Sequence, residues 1–153
     1  MSEADKLLNV AQDYHRDASL TSNKDGTGII TSRIDVPCSV LGEHINLQTL
    51  IEPNDFAIYL GDLLVVDKVE GQKILADDVS MFLDDLLKAV RDGRATVTER
   101  VLLGKKAYTL QVVNSTLRGH RSTGHAPYQT LTETVIEKFG KKLRSSPLTF
   151  RKA

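Results

Sequence analysis

Residues 114–130, NSTLRGHRSTGHAPYQT, concentrate the polar chemistry of this chain: two of its four histidines, two arginines, six hydroxyl side chains and no carboxylate. Arg118 and Arg121 are suited to bidentate grip of phosphate or carboxylate oxygens. Ser122 and Thr123 add hydroxyl donors, and Gly124 lets a ligand approach the backbone closely. His120 and His125 add positive charge only below about pH 6.5. The stretch links a predicted strand to a predicted helix, and the first N–H groups of a helix are unpaired and lie at its positive dipole end. Two readings stand: an anion pocket, or a plain polar surface loop.

The segment RSTGHA, Arg121 to Ala126, resembles the Arg/Gln-x-x-Gly-x-Gly/Ala motif of the acetyl-CoA-dependent N-acetyltransferase superfamily. The resemblance implies a strand–loop–helix unit cradling the pyrophosphate of coenzyme A, with Arg121, Thr123, Gly124 and Ala126 as contacts. It spans six residues, and no catalytic base accompanies it. Other chemistries find less. No G-x-S-x-G elbow is present for Ser115 or Ser122. His120 and His125 lack the i, i+4 spacing of a helical zinc pair. The single cysteine, Cys38, reads as a small core residue. No catalytic residue, cofactor or metal is expected, and the balance leans away from an enzyme.

The charge pattern supplies a second candidate. The chain is neutral, with 20 basic and 20 acidic residues. Residues 1–93 hold 8 basic and 17 acidic side chains, a balance of −9, whereas residues 94–153 hold 12 and 3, a balance of +9. Lys105, Lys106, Arg118 and Arg121 together with Lys138, Lys141, Lys142 and Arg144 form a basic face if the fold gathers them. Such a face engages nucleic acid, another polyanion or an acidic protein partner. The plain alternative is mutual neutralisation across one domain, with the later lysines complementing a helix C-terminus. Self-association through acidic and basic surfaces is a third reading, and makes the chain a homo-oligomer.

The elements that position these residues follow from periodicity. A chain of 153 residues is long enough for one core, so a single domain is expected. A helix is predicted over 2–17, with Leu7, Leu8, Ala11 and Tyr14 on one face; residues 1–20 read as peripheral. Residues 21–28 read as a flexible loop, and 28–36 as a strand ended by Pro37. Residues 38–55 fit a short strand or a helical turn. A meander follows: FAIYL, a Gly61-Asp62 link, LLVVDKV, then QKIL, with links too short for parallel crossovers.

Val79, Phe82, Leu83, Leu86, Leu87 and Val90 form one stripe of a helix over 78–92, capped by Asp77 or Asp78 and closed by Gly93. A hairpin spans 95–114, and a Gly104-Lys105 turn sets Val101 opposite Tyr108 and Glu99 opposite Leu110. The last helix is predicted over 127–143, with Tyr128, Leu131, Val135, Phe139 and Leu143 inward. Residues 145–153 form a short edge strand or a loose tail. The sum is an α+β fold: an antiparallel sheet of about five to six strands with helices packed mainly on one face. No apolar stretch approaches 18 residues and no signal peptide opens the chain, so a cytoplasmic location and no membrane partner are expected.

Overall fold

A computed structural model describes residues 3–52, 55–61, 63–67, 76–113 and 131–152. The fold is α+β and mostly antiparallel strand, with few helices. Helix α1 (Glu3–Gln12) leads into β1 (Ser19–Lys24), β2 (Ile30–Val40), β3 (Glu43–Glu52), β4 (Asp55–Leu60) and β5 (Leu63–Asp67). Then come α2 (Ala76–Arg91), β6 (Ala95–Leu102), β7 (Lys105–Val112), α3 (Leu131–Phe139), β8 (Lys141–Pro147) and β9 (Thr149–Phe150). The sequence reading expects one sheet, whereas the described chain forms two. Six strands make the first, in the order β1-β2-β3-β4-β5 with β9 also on β2; the second is β7-β6-β8.

Strand β2 is the spine of the larger sheet. Ser32, Ile34, Val36, Cys38 and Val40 alternate inward along it, as a half-buried strand demands. The strand does not stop at Pro37, which pairs with Asn46 of β3. The carbonyl of Pro37 accepts a bond from Arg151 N, so its ring nitrogen faces the same side. On that side β1 partners β2 only as far as Asp35 and β9 only from Cys38. The missing N–H therefore meets the junction between two partner strands, where a ladder bond is dispensable.

Two other boundaries move. Half of the loop expected over 21–28 is strand β1, which is polar and exposed at a sheet edge and so lacks an apolar alternation. Its turn is organised by Asp25, whose Oδ1 accepts from Thr27 N, Thr27 Oγ1 and Ile29 N. Helix α1 ends at Gln12 rather than 17, and it is not peripheral to the packing: Leu7 and Ala11 join the main buried cluster. The QKIL segment lies outside the described residues.

Helix α2 matches its stripe closely. Phe82, Leu83, Leu86, Leu87 and Val90 are all buried, and Phe82 stacks on Phe56 of β4 at 5.9 Å. Asp77 and Asp78 fall inside the first turn rather than at the cap. At the other end Gly93, at φ 74°, donates to Val90 O while Arg94 donates to Ala89 O. These two bonds satisfy carbonyls that the helix leaves open.

The β6–β7 hairpin turns on Leu103-Gly104, not Gly104-Lys105. Both residues have positive φ, 50° and 77°, the twist that a two-residue hairpin prefers. The β2–β3 turn, Leu41-Gly42, has the same form at 52° and 77°. A leucine in that region costs roughly 1 kcal/mol. The corrected register pairs Glu99 with Tyr108 and Val97 with Leu110. The error is two residues, so each side chain keeps its face.

The last helix ends at Phe139. Gly140 donates to Ile136 O, and a Cβ on Gly140 would lie 2.2 Å from that same oxygen. Residues 141–147 are then strand β8, paired with β6. The expected stripe is wrong in consequence: Ile136 is buried, while Val135, Phe139 and Leu143 are exposed. Ile136 and Ala107 are buried apart from the main cluster, and Arg100 Nη1 donates to Gly140 O. Helix α3 thus covers the face of the small sheet opposite the main core. Residues 145–150 are no loose tail: Leu148, fully buried, donates to Ala95 O as the chain passes from β8 in one sheet to β9 in the other.

Candidate anion-binding surface

Apart from β9, the larger sheet is built from the acidic part of the chain and the smaller one from the basic part. The sequence halves are therefore largely distinct in space. Within the small sheet the register gathers the candidate lysines. Val101 pairs with Lys106 on one side and with Lys141 on the other. Leu102 pairs with Lys105, and Arg100 with Lys142. Strand alternation then puts Lys106 and Lys141 on one face and Lys105, Lys142 and Arg100 on the other. All sit at the end of the sheet that carries the Leu103-Gly104 turn.

Lys138 lies in the last turn of α3, two residues before the chain enters β8 at that end. It keeps the helix-terminus position expected of it, whereas Lys141, Lys142 and Arg144 belong to a strand. The four strand lysines are exposed. The ion pairs among the described residues do not include them.

Arg144 behaves differently, and the sequence reading missed why. Glu99 is 2 % exposed on the middle strand of the small sheet. Arg144 grips it in two places, Nε to Oε1 at 3.1 Å and Nη2 to Oε2 at 3.3 Å. Tyr108 also donates to it. These bonds, Arg144 first and Tyr108 second, hold the Glu99 carboxyl below its usual range. Accepting that bond from Tyr108 raises the phenol in turn. Arg144 also donates through Nη1 to Leu41 O, and Ser146 Oγ accepts from Leu41 N. The charge of Arg144 is therefore committed to clamping β8 onto the β2–β3 turn. The signal was present: Glu99 is the lone carboxylate between residues 94 and 132 and sits at an inward position.

Arg118, His120, Arg121, Ser122, Thr123, Gly124 and His125, with the RSTGHA motif, lie outside the described residues. Their flanks are β7, ending at Val112, and α3, beginning at Leu131.

Elsewhere among the described residues, no buried side-chain polar atom lacks a hydrogen-bond partner. Asp35 is buried and accepts from Arg33, Gln48 and, at 3.5 Å, Asn46. His15 Nδ1 accepts from Asp17 N, so Nε2 carries the proton and donates to Arg151 O. Tyr14 donates to Asp84 at 2.6 Å; burial and that bond push its phenol up to about 12. Burial pushes the Cys38 thiol up to about 12 as well, which removes its nucleophilicity at neutral pH. Among the described residues no group of three metal-ligating side chains occurs, and no helix is long and apolar enough to cross a membrane. No protein-family model matches the chain, and comparisons with curated proteins and with solved structures find no match.

Proposed function

We propose that this chain is a binding or accessory protein whose basic surface, at the hairpin end of the small sheet, engages a polyanion or an acidic partner. One observation carries the reading: Lys105, Lys106, Lys141 and Lys142 are drawn to one sheet end by the β6 register, with Lys138 beside them. Exposed lysines that enter no ion pair among the described residues create a positive potential that attracts anions. In this reading α1 and α2 pack mainly on one face of the larger sheet, and the protein works in the cytoplasm. Arg118 and Arg121, which lie outside the described residues, are further anion contacts in this reading.

The test is a titration with a fluorescent DNA oligonucleotide and with polyglutamate, at low and raised salt. The wild type binds at low salt and weakens steeply as salt rises. Lys105→Glu plus Lys106→Glu, or Lys141→Glu plus Lys142→Glu, weakens binding about tenfold or more. Absence of binding to either anion at low salt removes the reading.

The segregation of charge between the two sheets favours a second reading, head-to-tail self-association. Sedimentation velocity tests it: association that grows with concentration and dissolves in salt supports it, and a monomer throughout ends it.

A further inference from the structure

The basic surface carries a feature that neither nucleic acid nor an acidic chain requires. Three large apolar side chains stand open among its lysines: Leu103, Phe139 and Leu143, exposed by 95 %, 69 % and 46 %. Leu103 forms the tip of the β6–β7 turn in the left-handed backbone region. Leu41 occupies the same position of the matching β2–β3 turn, but it packs on the main core, which offsets its strain. Leu103 buries almost nothing. Asparagine or glycine suits that backbone better, so folding gives no reason for a leucine there.

Phe139 and Leu143 lie toward the same end of the small sheet. Phe139 ends α3, with Lys138 Nζ 5.9 Å from its ring centre. Leu143 sits at the β8 bulge, between the residues paired with Glu99 and Arg100. The exposed cations of this end are lysines, compact and strongly hydrated charges on flexible stems, whereas Arg100 is half-buried with its planar fork turned to Gly140 O. Protruding Leu and Phe at a sheet end that also carries these lysines match the interface of an anionic bilayer. There the apolar groups enter the headgroup–acyl boundary and the ammonium groups stay among the headgroups.

We infer that the hairpin end of the small sheet docks on a bilayer surface bearing anionic headgroups, with Leu103 entering the boundary region and Phe139 and Leu143 beside it. The inference rests on the basic surface proposed above. It departs from the sequence expectation of no membrane partner, which concerned spanning segments; this contact needs none.

The experiment is co-sedimentation of the full chain with vesicles of phosphatidylcholine alone, or with about 30 mol% phosphatidylserine, beside the DNA titration. The wild type binds the anionic vesicles and not the neutral ones. Leu103→Asn removes the apolar tip while relaxing the turn. Its urea midpoint is unchanged or higher, its DNA binding is unchanged, and its vesicle affinity falls about tenfold. Lys105→Glu plus Lys106→Glu weakens both ligands. Equal binding to the two vesicle types overturns the inference, as does Leu103→Asn binding vesicles as the wild type does. DNA binding without vesicle binding overturns it while the basic-surface reading stands. Binding to neither overturns the inference, and absence of polyglutamate binding as well ends the basic-surface reading.

Discussion

Glu99 is where a single side chain decides most. Its carboxylate is almost fully withdrawn from water and is held ionised by Arg144 and Tyr108. A carboxyl held below its unfolded value contributes stability above that value and loses it as pH falls through the lower folded value. The wild type is therefore stabilised by this pair above the ordinary glutamate value of 4.5 and weakens below it. Glu99→Gln lowers the urea midpoint at pH 7, and the gap to wild type narrows by pH 3; a gap independent of pH would deny the pair its electrostatic role. Gly140→Ala has no such dependence, because its cost is steric. A methyl 2.2 Å from Ile136 O must displace the end of α3, at about 1–3 kcal/mol by thermal or urea unfolding. Cys38, fully buried with its thiol pushed up to about 12, resists alkylation at pH 8 and reacts only in denaturant.

At the scale of elements, what could be read beforehand depended on apolar periodicity. The stripe of α2 and the inward alternation of β2 are dense enough to override local ambiguity, and β2 and the α2 stripe from Phe82 to Val90 appear in the fold. Strand β1 has no such pattern, because an exposed edge needs polar residues on both faces. Strand β8 misled for the opposite reason. Val135, Phe139 and Leu143 have helical spacing, yet Gly140 breaks the helix between them, and among the described side chains of α3 it is Ile136 that is buried. That break decided the site as well. Lys141 and Lys142 look like dipole-complementing cations until β8 pairs with β6 and sets them across from Val101 and Arg100. Pairing between segments about 40 residues apart leaves no trace in local spacing. Gly93→Ala tests the α2 terminus: a Cβ at φ 74° costs about 1 kcal/mol, measured as a lowered midpoint with an unchanged slope.

For the whole molecule, the two sheets share one buried cluster, which includes Ala95, Val97 and Leu110 from the small sheet with Ile34, Leu47 and Ile58 from the large. Leu148 lies where the chain crosses between them. Leu148→Ala costs about 2–5 kcal/mol, and hydrogen exchange shows protection falling in β2 and β6 together. Loss confined to one sheet would mean that the crossing does not couple them.

That crossing also governs when a growing chain can fold. Cys38 waits for Phe150 and Thr96 for Pro147, so the small sheet is incomplete until translation has passed residue 147 and the large one until residue 150. During elongation the apolar faces of β2 through β4 emerge first and stay uncovered at this seam. Such early exposure invites aggregation or chaperone capture. Ribosome-bound chains halted shortly before the codon for Leu148 should accordingly remain protease-sensitive, and those extended past Phe150 and clear of the exit tunnel should not.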